Sequence, residues 1–207
     1  MRGTKSRLRL GHPKFVATRV DEDGAVPVLV KFSPQGVDGG ARRTADLLRC
    51  EHHALASLRL AGIAAAQTAV IEADGRVFLE VQRFDRRGGG RVGVVSLLAL
   101  APHAGCDLDS WTRAADGLLE CGAISTASHE RIHWLERYGE LIGNTDRHAG
   151  NLSFGFDEGV VGELTPVYDM LPMGYAVRNG EFRTAALTPP SPTPRLPGGV
   201  ATGLGRG

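Results

Sequence analysis

The hydrophobic periodicity of this chain changes once, near residue 90. Before that point apolar residues mostly alternate. Residues 15–20 and 25–32 read as two strands joined by Asp21-Glu22-Asp23-Gly24, and residues 69–72 and 76–83 as a second pair around Asp74-Gly75. One helical repeat interrupts them, over residues 43–60 through Leu47, Leu48, Leu55 and Leu58, and Gly62 closes it. From residue 95 onward the repeat is helical in three pieces: residues 96–100, 110–121 and 125–142, with Ser110 and Ser125 as N-caps. The junction is Phe84-Asp85-Arg86-Arg87-Gly88-Gly89-Gly90, a flexible connection. This order predicts an α+β chain in two lobes: residues 1–84 β-rich with one helix, residues 85–182 mostly helical. The proline run of residues 188–194 denies helix and central strand, so residues 183–207 are expected to form an irregular tail. A cleft between two lobes is a common place for a nucleotide.

The cleft-side residues carry a recognisable chemistry. Gly143-Asn144-Thr145-Asp146-Arg147-His148-Ala149-Gly150-Asn151 falls between a helix ending at Gly143 and an alternating, strand-like segment, 151–156, which runs into the turn residues Asp157-Glu158-Gly159. Tyr168-Asp169 follows about twenty residues later. An Asp, an Asn five positions on and a second Asp are the polar set of protein-kinase-type phosphoryl transfer. Asp146 would accept the proton of an attacking hydroxyl, while Asn151 and Asp169 would offer oxygen to magnesium. The alternative is a loop in which Asn144, Asp146 and Asn151 cap turns and helices with their short side chains. Lys31, inside the apolar run 26–32, is either a solvated side chain on an edge strand or a ligand for nucleotide phosphate. Glu51 shares the helix face of Leu47, Leu48 and Leu55. It is either a border residue open to water or a buried acid that needs a cation, with Lys31 on the neighbouring sheet as the candidate.

Composition excludes some classes. With 24 basic and 23 acidic residues the net charge is +1, so no broad nucleic-acid-binding surface is expected. Cys50, Cys106 and Cys121 are too few and scattered for a disulfide framework or a CxxC zinc site. They read as free core thiols in a reducing cytoplasm. No run is long and apolar enough to predict a membrane span. Zinc at His148 and Asp146 would lack a further His or Cys at ligand spacing.

Five segments together resemble one family. Val30-Lys31-Phe32, Cys50-Glu51-His52, residues 79–86, residues 143–151 and Tyr168-Asp169-Met170-Leu171-Pro172 are similar, in order and spacing, to HipA-type serine/threonine kinases, and most of all to their YjjJ-like branch. The resemblance runs from about residue 10 to residue 190. It implies a protein-kinase-like fold and ATP- and magnesium-dependent phosphorylation of a protein serine or threonine. It places Lys31 on the α- and β-phosphates, oriented by Glu51. Residues 80–84 become the hinge against adenine, with Gln82 and Phe84 in the nucleotide pocket. Asp146 becomes the general base, Asn151 and Asp169 the magnesium ligands, and His148 a residue that steadies the loop at the nucleotide site. The family's partner is a helix-turn-helix antitoxin.

Against the family pattern, only Leu10-Gly11-His12-Pro13-Lys14-Phe15 corresponds to the phosphate-covering loop, with Ser6 the nearest serine for autophosphorylation. The helices expected beyond Pro172 give way to the Pro/Gly tail. The chain therefore reads as shortened at both ends, with the apolar faces around Trp111, Leu118 and Trp134 under-covered. Two other classes stay open: a kinase-derived module that binds an antitoxin without catalysis, and a phosphotransferase acting on a small molecule.

Overall fold

A computed structural model describes residues 13–22, 24–36, 38–87 and 89–177. Ser6, Gly11 and the tail 183–207 lie outside the described residues. The first sheet is antiparallel, in the order β1-β2-β4-β3, from β1 (Lys14–Asp21), β2 (Gly24–Phe32), β3 (Thr68–Ala73) and β4 (Arg76–Gln82). Its one helix, α1 (Gly39–Leu60), begins four residues before the helical repeat predicts. The cause is Asp38, whose carboxylate accepts from the amides of Gly40 (2.8 Å) and Ala41 (2.9 Å) and so caps a first turn with no apolar periodicity. Replacing Asp38 with Ala is expected to cost about 1 kcal/mol in urea unfolding, with Asp38→Asn nearly neutral. Equal loss in both variants would show that the cap is not what stabilises this turn.

Within the connection expected to be flexible, Arg86–Arg87 (β5) and Gly90–Arg91 (β6) pair as a short ribbon. Next comes β7 (Val94–Ser96), which the helical reading missed because its three residues are too few to show a period. It pairs with β8 (Ser153–Asp157), and β8 with β9 (Val160–Leu164). The helices α2 (Leu97–His103), α3 (Trp111–Glu120) and α4 (Thr126–Leu141) begin at Ser96, Ser110 and Ser125, each of whose hydroxyls accepts a backbone amide of its own first turn.

α1 ties the two halves together. Its Leu48 packs on Val77, Leu79 and Val81 of β4. Leu55 and Leu58 enter a larger core with Leu97, Trp111, Leu118, Ile132, Leu135 and Phe154. Leu47 meets Leu171 and Met173. Leucines on three sides of one helix thus hold sheet, helical half and the segment after Asp169 in one packed body. Two expectations are corrected here. Trp111 and Leu118 are fully covered, because α3 packs against both α2 and α4; of the three residues, Trp134 alone is half-exposed, stacked on Tyr138. The cysteines are not core thiols, since Cys50 and Cys121 are exposed and Cys106 is half-buried.

Candidate active site

Lys31 lies on β2, paired with Leu79 of β4, and its ammonium reaches α1 beneath the sheet. Its Nζ stands 2.7 Å from both carboxylate oxygens of Glu51 and 2.5 Å from Oδ1 of Asp169. Lys31 is 5% and Glu51 0% exposed, whereas the Asp169 side chain is one-third open. A buried ammonium survives because its donors are all engaged. Burial pulls the Lys31 ammonium down, but Glu51 and Asp169 together outweigh it and hold it above its ordinary value. Burial also pushes the Glu51 carboxyl up, against the pull of Lys31. Since both Glu51 oxygens accept from one ammonium, which only a carboxylate does, we assign the pair as ionised at neutral pH.

The loop that carries Asp146 is built by its neighbours. α4 stops because Gly143 adopts φ 72°, a left-handed conformation in which side chains are strained. Asn144 is buried. Its Oδ1 accepts from the Asp146 amide at 3.0 Å, and its Nδ2 donates to Met170 Sδ at 3.4 Å. The Arg147 guanidinium donates to the Asn144 carbonyl and lies over Gly139, where a Cβ would stand 2.5 Å from its Cδ. So a glycine inside α4 makes room for the arginine that braces the loop. Asn151 donates from Nδ2 to the Asp146 carbonyl at 3.1 Å, which leaves its Oδ1 for a cation. His148 Nδ1 accepts from the Gly150 amide, while its carbonyl accepts from Trp111 Nε1 at 3.1 Å. Its ring therefore serves the loop, in the tautomer protonated at Nε2 as assigned from that bond. The Asp146 side chain is left exposed at the surface of this braced loop.

Asp169 is fixed from both sides. Tyr168 donates to the Gly150 carbonyl at 3.0 Å and exchanges a 2.7 Å bond with Ser153, while Met170 meets Asn144. Burial pushes the Tyr168 phenol up, so it remains a donor. Asp169 itself has φ 57°, a costly conformation for a residue with a Cβ. The segment 168–170 is thus stitched to both ends of the Asp146 loop. Asn151 and Asp169 would present oxygen to a cation, the donor type that suits magnesium, and Asp169 already accepts a cationic ammonium.

Residues 80–84, the expected hinge, have part of their backbone already engaged. The amides of Gln82 and Arg83 are committed to the carbonyls of Gln67 (2.8 Å) and Pro27 (3.0 Å). Of the expected hinge, a backbone N–H for a base would have to come from Phe84 or beyond. Gln82 is exposed at the end of β4, and the Phe84 ring packs 5.7 Å from Tyr168, in line with the Asp169 segment. Arg83 clamps Asp85 with two hydrogen bonds, which hold its carboxyl below the usual range.

The structure therefore brings Lys31, Glu51 and Asp169 into direct contact, and joins Asn151 to Asp146 through the backbone. Sequence reasoning missed the bracing roles of Tyr168, Arg147 and Trp111; Asn144 is the turn cap it offered as one reading of the loop, with its Oδ1 on the Asp146 amide. Of the three missed residues only Tyr168 had a signal, by adjoining Asp169.

The HipA-like C-terminal domain describes residues 11–191, and the chain belongs to that family. It is 40% identical over 178 residues to Toxin YjjJ of Escherichia coli (strain K12), across 84% of this chain and 40% of that protein. Its fold is α+β and protein-kinase-like. HipA of Shewanella oneidensis MR-1, solved as a toxin–antitoxin complex of HipA, HipB and operator DNA, superposes with a TM-score of 0.58 at 18% identity, over 83% of this chain and 45% of that one. The Helicobacter pylori proinflammatory kinase CtkA superposes with a TM-score of 0.55 at 16% identity, over 76% and 55%. The chain thus spans about half or less of the length of these relatives. Among the described residues no helix is long and apolar enough to cross a membrane.

Proposed function

We propose that this chain is an ATP- and magnesium-dependent protein serine/threonine kinase of the HipA type. The observation that carries the reading is the buried Lys31, held between Glu51 on α1 and Asp169 beside the Asp146 loop. A lysine anchored to a helix glutamate and reaching a metal-ligand aspartate is the arrangement that positions nucleotide phosphates in protein kinases. The kinase-type fold of its relatives supports the same reading.

In this account Lys31 binds the α- and β-phosphates, and Glu51 keeps its ammonium aimed. Asn151 and Asp169 hold magnesium, which when bound offsets charge on the β- and γ-phosphates. Asp146 accepts the proton of a serine or threonine hydroxyl. That oxygen then bonds to the γ-phosphorus as the bond to the ADP oxygen breaks, and ADP departs. Phe84 and Tyr168 line the base side of the cleft. The site is expected to work in the cytoplasm, with a helix-turn-helix antitoxin as partner; the HipB complex of the HipA relative supports that choice.

Calorimetry tests the nucleotide half of the proposal. ATP is expected to bind more tightly with magnesium than without, and Asp169→Asn is expected to remove that difference. Magnesium-independent binding, or none, overturns the kinase reading and leaves a non-catalytic binding module.

A further inference from the structure

A second cluster of ligating side chains sits between α3 and α4 and takes no part in the chemistry above. Asp116 projects from α3, and His129 and His133 from α4. The two histidines are four residues apart, which puts them on one helical face, one turn above the other. Nε2 of His129 is 2.7 Å and Nε2 of His133 2.8 Å from the same oxygen, Oδ1 of Asp116. The ligating atoms of all three residues lie within 4.8 Å of one another. The rings are 4.4 Å apart between centroids.

We propose that Asp116, His129 and His133 bind a zinc-class divalent cation that cross-links α3 to α4. Two imidazole nitrogens and one carboxylate oxygen are a donor set for zinc, cobalt or nickel rather than for magnesium or calcium. Three protein ligands leave a further position for water. Ligands about 2.0–2.2 Å from one tetrahedral ion stand about 3.3 Å apart. The observed spacings therefore need to open by about half an ångström, within reach of small torsions in three side chains. Those side chains are neither locked nor loose, at 17% exposed for His129, 29% for His133 and 49% for Asp116. An ion can enter from solvent, because Asp116 also lines an open surface hollow of about 550 Å³ with Glu120, Cys106 and Cys121.

Without an ion the triad is a hydrogen-bonded clasp in which one oxygen serves two imidazoles. With an ion the same three atoms become ligands, each imidazole binding through Nε2 and carrying its proton on Nδ1. Occupancy would tie α3 to the helix that leads into the Asp146 loop. The site differs from the nucleotide centre in place and in donor chemistry, so the two sites are separable by experiment.

The test uses the full chain, stripped with chelator and titrated with cobalt(II), read by its visible absorption, and with zinc by calorimetry. One ion per chain is expected, with a cobalt spectrum typical of nitrogen and oxygen ligation and a higher melting temperature on loading. His133→Gln and Asp116→Asn are each expected to weaken binding by about tenfold or more, equivalent to at least one 1.4 kcal/mol step. Asp169→Asn is expected to leave it unchanged. Far-UV circular dichroism of the stripped variants checks their folding, and His133, on the more open face, is the safer of the two histidines to change. The proposal is overturned if no saturable one-to-one binding occurs, if folded His133→Gln and Asp116→Asn bind as well as the parent chain, or if only Asp169→Asn abolishes binding.

Discussion

Replacing Lys31 with Met is expected to lower the stability of this protein by about 3–5 kcal/mol, the range found when one partner of a buried ion pair is removed. The reason is geometric. Glu51 is fully buried, and both its oxygens rest on the lysine ammonium, so Lys31→Met strands a carboxylate with no route to water. Asp169 suffers less, being one-third exposed. The double variant Lys31→Met with Glu51→Leu removes both charges at similar volume and is expected to recover most of the loss, since apolar replacements of whole buried pairs are commonly near neutral. Neither variant is expected to transfer phosphate. Because the folded ammonium titrates above its free value of 10.5, the stabilisation it contributes is complete below pH 10.5 and fades only as pH climbs through that raised value. Lys31 therefore adds no pH dependence near neutrality. Urea unfolding of the three proteins decides the matter, and a single variant within about 1 kcal/mol of the parent would refute the stranded-charge account.

Asp146→Asn is expected to reduce γ-phosphate transfer to a protein acceptor by about 10²- to 10⁴-fold, the usual worth of a positioned general base. Its stability is expected to stay within about 0.5 kcal/mol of the parent, because the side chain is exposed and the loop is braced by the backbone amide of Asp146 rather than its carboxylate. Nucleotide binding should be retained, so the loss would fall on turnover and not on affinity. A radiolabel transfer assay beside calorimetry separates the two quantities. Equal transfer by the variant would assign the activity to a contaminant, and loss of binding along with transfer would move Asp146 from base to nucleotide ligand.

The fold class, the strand pairs of the first half and the serine caps of α3 and α4 were legible from periodicity and cap chemistry, because those signals act within a few residues. The Asp146 loop was legible for the same reason: a helix stop at Gly143 and a strand after it frame the polar residues between. The start of α1 was not, since its first turn is capped by Asp38 but has no apolar repeat. Nor was β7, too short to show a period. The cysteines defied a rule of averages: thiols are often buried, yet here α1, α3 and the loops beside them leave two of the three at the surface.

Local order along the chain was enough to place an acid, an amide and a second acid on loops between rigid elements, and to leave Lys31 and Glu51 with two readings each. Choosing between those readings took the packed molecule. Lys31, Glu51 and Asp169 are up to 138 positions apart, and whether an ammonium between two carboxylates is buried or solvated depends on which helix covers it. The Asp116–His129–His133 clasp is of the same kind. A spacing of four puts two histidines on one face, but only the packing of α3 against α4 supplies the oxygen between them, because ion pairing and ligation depend on distance through space rather than along the backbone.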